Sequence, residues 1–208
     1  MRHADDSGHL AILGSGPLAR EFALWAFDAG IDDVVFVNDI DGPQPAQRLA
    51  GRLIRVLDGW SRPHRFILGV GKTANKQAMV AKALDAGWTP APSVAHPSAI
   101  IRSPLGYGGL VGPNCVVTCD VTMGDFVTIN LNCTVGHDSV LSEYVTLNPG
   151  AHVSGNVNLG PCVEIGTGAV IRDHVSICGR VVVGAGGAVV KDITEPGIYA
   201  GVPCARLK

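Results

Sequence analysis

Hydrophobic residues recur at every sixth position from Leu110 to Ile193, through fourteen consecutive groups of six. The second residue of each six is aliphatic or Met, and the last residues of the sixes are mainly small or β-branched. Neither the 3.6-residue period of a helix nor the alternation of a half-buried strand fits this spacing. It is typical of a hexapeptide β-helix, in which each six forms one flat side and one corner. The predicted inward residues are Val111, Val117, Met123, Ile129, Val135, Leu141, Leu147, Val153, Leu159, Ile165, Ile171, Ile177, Val183 and Val189.

Three such sides close one coil, so residues 18 apart in the sequence are expected to stack in neighbouring coils. The coils should be separated by roughly 4.8 Å, the spacing of strands in a sheet. Aliphatic side chains fill the prism, and Gly or Asn is favoured at corners because left-handed backbone conformations cost these residues least.

The first 90 residues follow a different pattern. Residues 9–13 read as a buried strand that leads into Gly14, Gly16 and Ala19, which satisfy the G-x-G-x-x-[G/A] pattern. A helix is predicted to follow and to end at Gly30, and residues 34–37 form a second apolar run. Asp39 comes after this run, about 20 residues beyond the glycine turn, where dinucleotide folds carry a ribose-binding carboxylate.

A further strand is predicted at residues 65–70 and a further helix at about 73–86, which makes a small parallel sheet with helices. Only half of a dinucleotide fold fits before residue 90, so a mononucleotide or a nucleotide-linked ligand is favoured over NAD. Alternatively, the glycines only form a tight turn in a packing domain. We therefore expect an α/β Rossmann-like half domain at 1–90, which binds a nucleotide sugar, and a β-helix acyltransferase domain with a C-terminal tail at 91–208.

Composition narrows the possible partners and the compartment. The net charge of −2, without runs of like charge, argues against binding to nucleic acids or membrane surfaces. Six Cys without a Cys-x-x-Cys pair, five of them inside the repeats, favour reduced structural thiols. The N-terminus has no signal-peptide apolar region, and no apolar run could span a bilayer, so a cytoplasmic protein is expected.

Polar residues that can carry chemistry cluster in one coil, at Asn130, Asn132, His137 and Asp138. His137 could take a proton from an attacking amine or hydroxyl, and Asp138 would fix its tautomer and raise its basicity. Gly155 follows His137 by one coil and should leave room for a slender ligand beside the imidazole. The competing interpretation is that His137 is simply a solvated corner residue.

Other nucleophiles and metal ligands receive weaker support. The spacing of His137, His152 and His174 does not match the histidine pattern of hexapeptide-repeat carbonic anhydrases, so we expect no metal. Nothing near Cys119 or Cys133 in the sequence would activate a thiol, and both are predicted to pack in the core.

The chain resembles the sugar O- and N-acyltransferases of the left-handed β-helix class. The resemblance extends over nearly the whole chain and rests on GSGPLARE, an HPSA-type bridge, INLNCTVGHD, PGAHVSGNVNLG and the terminal GVPCARL. This family includes sialic-acid O-acetyltransferases and N-acetyltransferases that act on nucleotide-linked 4-amino-sugars. It implies a left-handed β-helix, a homotrimer, and acetyl-CoA bound in the groove between adjacent β-helices.

The resemblance also implies roles for individual residues. His137 matches the catalytic base and Asp138 the acidic residue beside it, while Asn130 matches a residue of the acceptor pocket. The residues that it implies for acetyl-CoA are Gly155, Gly166, Thr167, Ala185 and Gly201, with the tail at the adenine end. The residues that it implies for the nucleotide of the acceptor are Gly14, Ser15, Gly16, Asp39, Gly71 and Lys72.

Three positions near the predicted substrate depart from the family pattern. Gly71-Lys72 replaces a frequent Gly-Asn or Gly-Asp, Thr146 replaces a common His, and Asn148 replaces a Ser. We expect acetyl transfer to a UDP- or GDP-linked 4-amino-4,6-dideoxy-sugar, with Thr146 and Asn148 lining the acceptor pocket. The alternatives are sialic-acid-type O-acetylation, a zinc-dependent carbonic anhydrase and a non-catalytic protein that binds nucleotide sugars.

Overall fold

A computed structural model describes residues 9–38, 46–57, 60, 64–71 and 73–207 of the chain. The chain divides into two compact units, Met1–Ala91 and Pro92–Lys208. The first unit contains β1 Leu10–Leu13, α1 Pro17–Asp28, β2 Val34–Val37, β3 Gln47–Leu49, β4 Arg52–Ile54, β5 Val56–Leu57, β6 Arg65–Leu68, α2 Thr73–Asp85 and β7 Thr89–Pro90.

Five strands of the first unit form one parallel sheet in the order β5-β2-β1-β6-β7, and β3 and β4 form a separate antiparallel pair. Every residue of β1 and β2 is buried, which explains their continuous apolar sequences. Helix α1 begins at Pro17, whose fixed φ suits a first helical position, and Gly30 follows its end with φ of 82°. The parallel sheet with helices that the sequence predicts is therefore present, whereas β3, β4, β5 and β7 were not predicted.

The second unit is built mainly from strands of two residues. They are β8 Val94–Ala95, β9 Ile100–Ile101, β10 Leu110–Val111, β11 Val116–Val117, β12 Thr122–Met123, β13 Thr128–Ile129, β14 Thr134–Val135, β15 Val140–Leu141, β16 Thr146–Leu147, β17 His152–Val153, β18 Asn158–Leu159, β19 Glu164–Ile165, β20 Val170–Ile171, β21 Ser176–Ile177, β22 Val181–Val183, β23 Ala188–Val189, β24 Gly197–Ala200 and β25 Ala205–Arg206.

These strands stack into three parallel faces. The first face contains β8, β10, β13, β16, β19 and β22, the second face β9, β11, β14, β17, β20 and β23, and the third face β12, β15, β18 and β21. Leu110 pairs with Thr128 and Thr128 with Thr146, a step of 18 residues in each case. This is the parallel β-helix that the hexapeptide period predicts.

The predicted inward residues form the core of the β-helix. All fourteen occupy strands, thirteen are buried, and the partly buried Met123 packs against the same cluster. The small residues that precede each strand, such as Cys115, Cys133 and Ala151, are buried with them. The interior is thus a continuous stack of aliphatic side chains, stabilised by burial at about 25 cal/mol per Å² of apolar surface.

Three corners join these faces in each coil. The first corner joins the first face to the second, the second corner joins the second to the third, and the third corner returns to the first face. Asp138, in the second corner, has φ of 58°, a left-handed conformation that Asp tolerates better than most residues. From residue 108 to residue 186, one residue of this left-handed conformation recurs at every sixth position, once in each corner.

The C-terminal residues add two further strands to the first face of the β-helix. Strand β24 pairs in parallel with β22 and extends the first face, and β25 folds back antiparallel to β24.

Within the described ranges of the chain, the helices are too short or too polar to cross a membrane.

Candidate active site

His137 and Asp138 form a hydrogen-bonded pair in the second corner. Asp138 Oδ2 lies 2.7 Å from Nδ1 of His137, and both side chains are more than half exposed, at 58% and 55%. When Nδ1–H donates to this carboxylate, Nε2 keeps its lone pair and becomes the basic atom of the ring. The pair therefore has the arrangement of a general base and the group that orients it.

Gly155 lies directly beside the imidazole, as the period of 18 predicts. A Cβ atom at Gly155 would be 2.8 Å from both Cε1 and Nε2 of His137. Asn156 N–H donates to the carbonyl of His137 at 2.8 Å, which connects the two coils at this point. Any side chain at position 155 would displace the ring, so glycine keeps the face of Nε2 open.

Cys119 occupies the coil before His137 in the same corner. The backbone N–H of Asp138 donates to the carbonyl of Cys119 at 3.4 Å, and Cys119 is exposed. The prediction that Cys119 packs in the core is therefore wrong, whereas Cys133 is buried as predicted. The period of 18 residues, applied backwards from His137, would have placed this thiol next to the imidazole.

The predicted acceptor residues of the β-helix lie on the first face and first corner. Asn130 is buried, and its Oδ1 accepts from the N–H of Leu131 at 2.8 Å. Thr146 is buried on β16, and Asn148 Nδ2 donates to Glu164 Oε1 at 3.2 Å and to the carbonyl of Ile165 at 3.1 Å. Glu164 was missed by sequence reasoning, and its separation of 16 residues from Asn148, two short of the repeat, gave no stacking signal for this contact.

Four of the five residues predicted to bind acetyl-CoA lie together at the end of the first corner. A Cβ at Gly166 would lie 2.6 Å from the N atom of Ala185, and the N–H of Gly186 donates to the carbonyl of Thr167 at 2.8 Å. The carbonyl of Gly201 accepts from the N–H of Ala188 at 3.0 Å, so the tail joins the same group. Gly155, the fifth, lies in the second corner.

The site residues of the β-helix therefore form two groups in one chain. His137, Asp138 and Gly155 occupy the second corner, whereas Asn130, Asn148, Gly166, Thr167 and Ala185 occupy the first corner. The second face lies between these corners. One chain alone does not bring the two groups together.

The glycine turn of the first unit lies at the carboxyl ends of β1 and β6. A Cβ at Gly14 would be 2.9 Å from Val70 Cγ1, and Gly16 precedes the first turn of α1. Gln47 Nε2 donates to the carbonyl of Ser15 at 3.0 Å, and Gly71 follows β6 at the same edge of the sheet. Asp39 and Lys72, the remaining residues predicted here, lie outside the described residues.

Potential metal ligands do not cluster in the described ranges. No group of three or more His, Cys, Asp or Glu side chains that could hold a metal ion occurs there.

Solved structures show the same fold over nearly the whole chain. The acetyltransferase domain of PglB from Neisseria gonorrhoeae FA1090, in complex with acetyl coenzyme A, is 29% identical with a TM-score of 0.86, over 96% of this chain and 98% of that one. A histidine-to-asparagine variant of perosamine N-acetyltransferase from Caulobacter crescentus, in complex with CoA and GDP-perosamine, is 27% identical with a TM-score of 0.85, over 97% and 98%.

These likenesses support an acyltransferase of the left-handed β-helix class.

WeeI from Acinetobacter baumannii AYE is 23% identical with a TM-score of 0.84, over 97% of this chain and 100% of that one, and shows the fold alone. Searches of protein-family models and of curated proteins find no match. The predicted resemblance to sugar acetyltransferases of the hexapeptide class is thus confirmed by solved structures.

Proposed function

We propose that the chain transfers an acetyl group from acetyl-CoA to the amine of a UDP- or GDP-linked 4-amino-4,6-dideoxy-sugar, with His137 as the general base. The observation that carries this proposal is the His137–Asp138 hydrogen bond, with Nε2 facing the space beside Gly155. The likeness to proteins solved with acetyl-CoA, and with CoA and GDP-perosamine, supports the two substrate classes.

The amine nitrogen attacks the thioester carbonyl directly while both substrates are bound. The new C–N bond forms, the C–S bond breaks, and the proton of the amine passes to Nε2 of His137 before it reaches the departing CoA thiolate. Asp138 stabilises the imidazolium that forms, and the backbone N–H of Gly155 is our candidate donor to the oxyanion. Holding two substrates in one groove supplies much of the remaining acceleration.

A second copy of the chain completes the site in this proposal. The second face presents mostly apolar outward side chains, including Ile100 at 51% and Val170 at 43% exposure, between the two groups of site residues. Three copies packed through this face around a closed axis would place the second corner of one chain near the first corner of the next. We therefore propose a homotrimer with acetyl-CoA between neighbouring β-helices, near Gly155, Gly166, Thr167, Ala185 and Gly201.

We propose that the first unit, a parallel sheet with helices, is a Rossmann-like half domain that binds the nucleotide of the acceptor. Gly14, Ser15 and Gly16 form the turn between β1 and α1, where backbone N–H groups and the helix N-terminus favour phosphate. Gly71 lies at the same edge of the parallel sheet, where ligands bind in folds of this kind. Asp39 and Lys72 complete the proposed set.

CoA release tests the proposal directly. The protein is incubated with acetyl-CoA and either UDP- or GDP-linked 4-amino-4,6-dideoxy-sugars or free sialic acid. Turnover with one nucleotide amino-sugar supports N-acetylation and names the carrier. Turnover with sialic acid alone replaces the proposal with O-acetylation. No CoA release with any of these sugars, together with stoichiometric zinc in the protein, favours the carbonic anhydrase. Nucleotide-sugar binding without turnover favours a non-catalytic protein.

A further inference from the structure

The second corner carries a straight row of residues that immediately follow the strands of the second face. Backbone N–H groups in this row donate to the next coil, from Arg102 to Val117 O at 2.9 Å and from Thr118 to Val135 O at 3.1 Å. The corresponding bonds of Gly136, Ser154 and Arg172 continue the row at 2.8, 3.1 and 2.9 Å. Arg102 and Arg172, both exposed, therefore lie two coils before and two coils after Gly136, the neighbour of His137.

The two directions along this corner are not equivalent. In the proposed function, on which this inference rests, every residue assigned to acetyl-CoA follows His137 by one or more coils. The cofactor then occupies the coils after His137, and its thioester reaches Nε2 from that direction. Residues 118–120 form the part of the second corner that lies one coil before His137. An acceptor can approach His137 from this side.

That coil has the chemistry that a phosphorylated amino-sugar requires. Cys119 is exposed next to His137 and offers a small side chain against which a sugar ring can lie. Asp120 is exposed in the same turn and supplies a carboxylate near an incoming ammonium group. Arg102, one further coil away, carries a guanidinium that suits a phosphate.

We propose that the acceptor lies along the second corner before His137, with its sugar ring on Cys119 and the phosphate linked to the sugar at Arg102. Two coils separate Arg102 from Gly136, which is roughly 10 Å at the strand spacing of sheets. A hexose with its reacting amine at one end and its phosphate at the other spans a comparable length. Arg102 and Cys119 thereby orient the acceptor and contribute to its selection.

Steady-state kinetics of matched variants at Arg102 and Arg172 test this orientation. Arg102→Gln is expected to raise the KM of the nucleotide amino-sugar by about tenfold, the effect of losing a charge-assisted hydrogen bond, with the KM of acetyl-CoA unchanged. Arg102→Lys should recover part of the loss, because it restores the charge. Arg172→Gln, at the same distance on the other side of His137, should leave the KM of the acceptor unchanged. The orientation is wrong if Arg172→Gln raises that KM and Arg102→Gln does not.

Thiol labelling tests the same inference without turnover, and so separates it from the proposed reaction. N-ethylmaleimide is added to the protein without CoA, in the presence and absence of GDP-perosamine or a UDP-linked 4-amino-4,6-dideoxy-sugar, and each Cys is followed by peptide mass spectrometry. One of these sugars should slow the labelling of Cys119 and not that of Cys178. Unchanged labelling of Cys119 with both would overturn the inference. Protection without CoA release in the assay would retain the binding mode and reject the reaction.

Discussion

Nδ1 of His137 lies 2.7 Å from Oδ2 of Asp138, although the two residues are neighbours in the chain. Asp138 adopts a left-handed backbone conformation, with φ of 58°, at the turning point of the second corner. In this conformation the carboxylate of Asp138 lies next to the imidazole of the preceding residue, His137. A histidine and its orienting acid are thus supplied by one β-helix corner.

Replacing His137 tests its role as the base. His137→Ala or His137→Asn is expected to lower kcat by about 10²- to 10⁴-fold, the usual cost of losing a general base. The KM of acetyl-CoA should change little, because the imidazole acts on the acceptor proton. The rate of CoA release measures both parameters.

His174→Asn is the matched control for this change. His174 is also exposed in the second corner, but it lies two coils beyond Asp138, with Nε2 3.8 Å from Asp173 Oδ2. It should retain the wild-type kcat. Full activity of His137→Ala would exclude His137 as the base.

The regular repeat determines which contacts could be predicted from the sequence alone. Strict repetition makes the fold readable, since the stacking of Val111, Ile129 and Leu147 follows from the period alone. Gly155 was placed beside His137 by the same arithmetic. Cys119 was misread because its neighbours were sought along the sequence, whereas its neighbour in space is one coil away.

Contacts that depend on side-chain reach were less predictable. The bond between Asn148 and Glu164 joins residues 16 apart, two short of the repeat, so stacking alone does not indicate it. The predicted site residues lie in two separate corners, and this could be recognised only after the strands had been assigned to the three faces. The irregular first coil, in which Val116 pairs with Ile100, lies outside the strict period as well.

Asp138→Asn should separate orientation of the base from its presence. The amide keeps the shape of the side chain but can present an N–H to Nδ1, which favours the wrong tautomer. We expect kcat to fall about tenfold, less than for loss of His137, because both groups are exposed enough for solvent to screen the interaction. Asp173→Asn, one coil beyond Gly155 in the same corner, is the control. Equal activities of the two variants would contradict an orienting role for Asp138.

Gly155→Val should strongly lower activity without unfolding the β-helix. Its Cβ would lie 2.8 Å from Nε2 of His137, and the exposed ring can move away more readily than the backbone. The displaced imidazole no longer faces the thioester, so kcat should fall by about the loss expected for His137→Ala. Circular dichroism and CoA release measure folding and activity separately.

Ser154→Ala, the preceding residue, controls for a general disturbance of this corner. It should keep near-normal activity. If Gly155→Val turns over normally, the space beside the imidazole is not part of the site.

The cysteines should differ in reactivity in the folded protein. Cys119 is exposed and should react with a maleimide at neutral pH, whereas Cys115 and Cys133 should react only after denaturation. The hydrogen bond with Cys115 and then burial hold the pKa of Cys133 well above its usual range, so mildly alkaline pH should not release its thiolate. Mass spectrometry after timed labelling at neutral and mildly alkaline pH gives the order. Labelling of Cys133 before Cys119 would contradict the buried core described here.

Gly16→Val tests whether the turn between β1 and α1 holds the nucleotide. A Cβ at Gly16 meets no atom within 4 Å and the backbone is extended there, with φ of −77°, so the first unit should fold normally. Added carbon atoms would nevertheless occupy the space that a phosphate needs beside the helix N-terminus. The KM of the nucleotide amino-sugar should therefore rise about tenfold or more, since a hydrogen bond to a charged group is worth about 1.5–3 kcal/mol. The KM of acetyl-CoA and the rate with saturating acceptor should stay near wild type, and an unchanged acceptor KM would leave the glycines with a purely structural role.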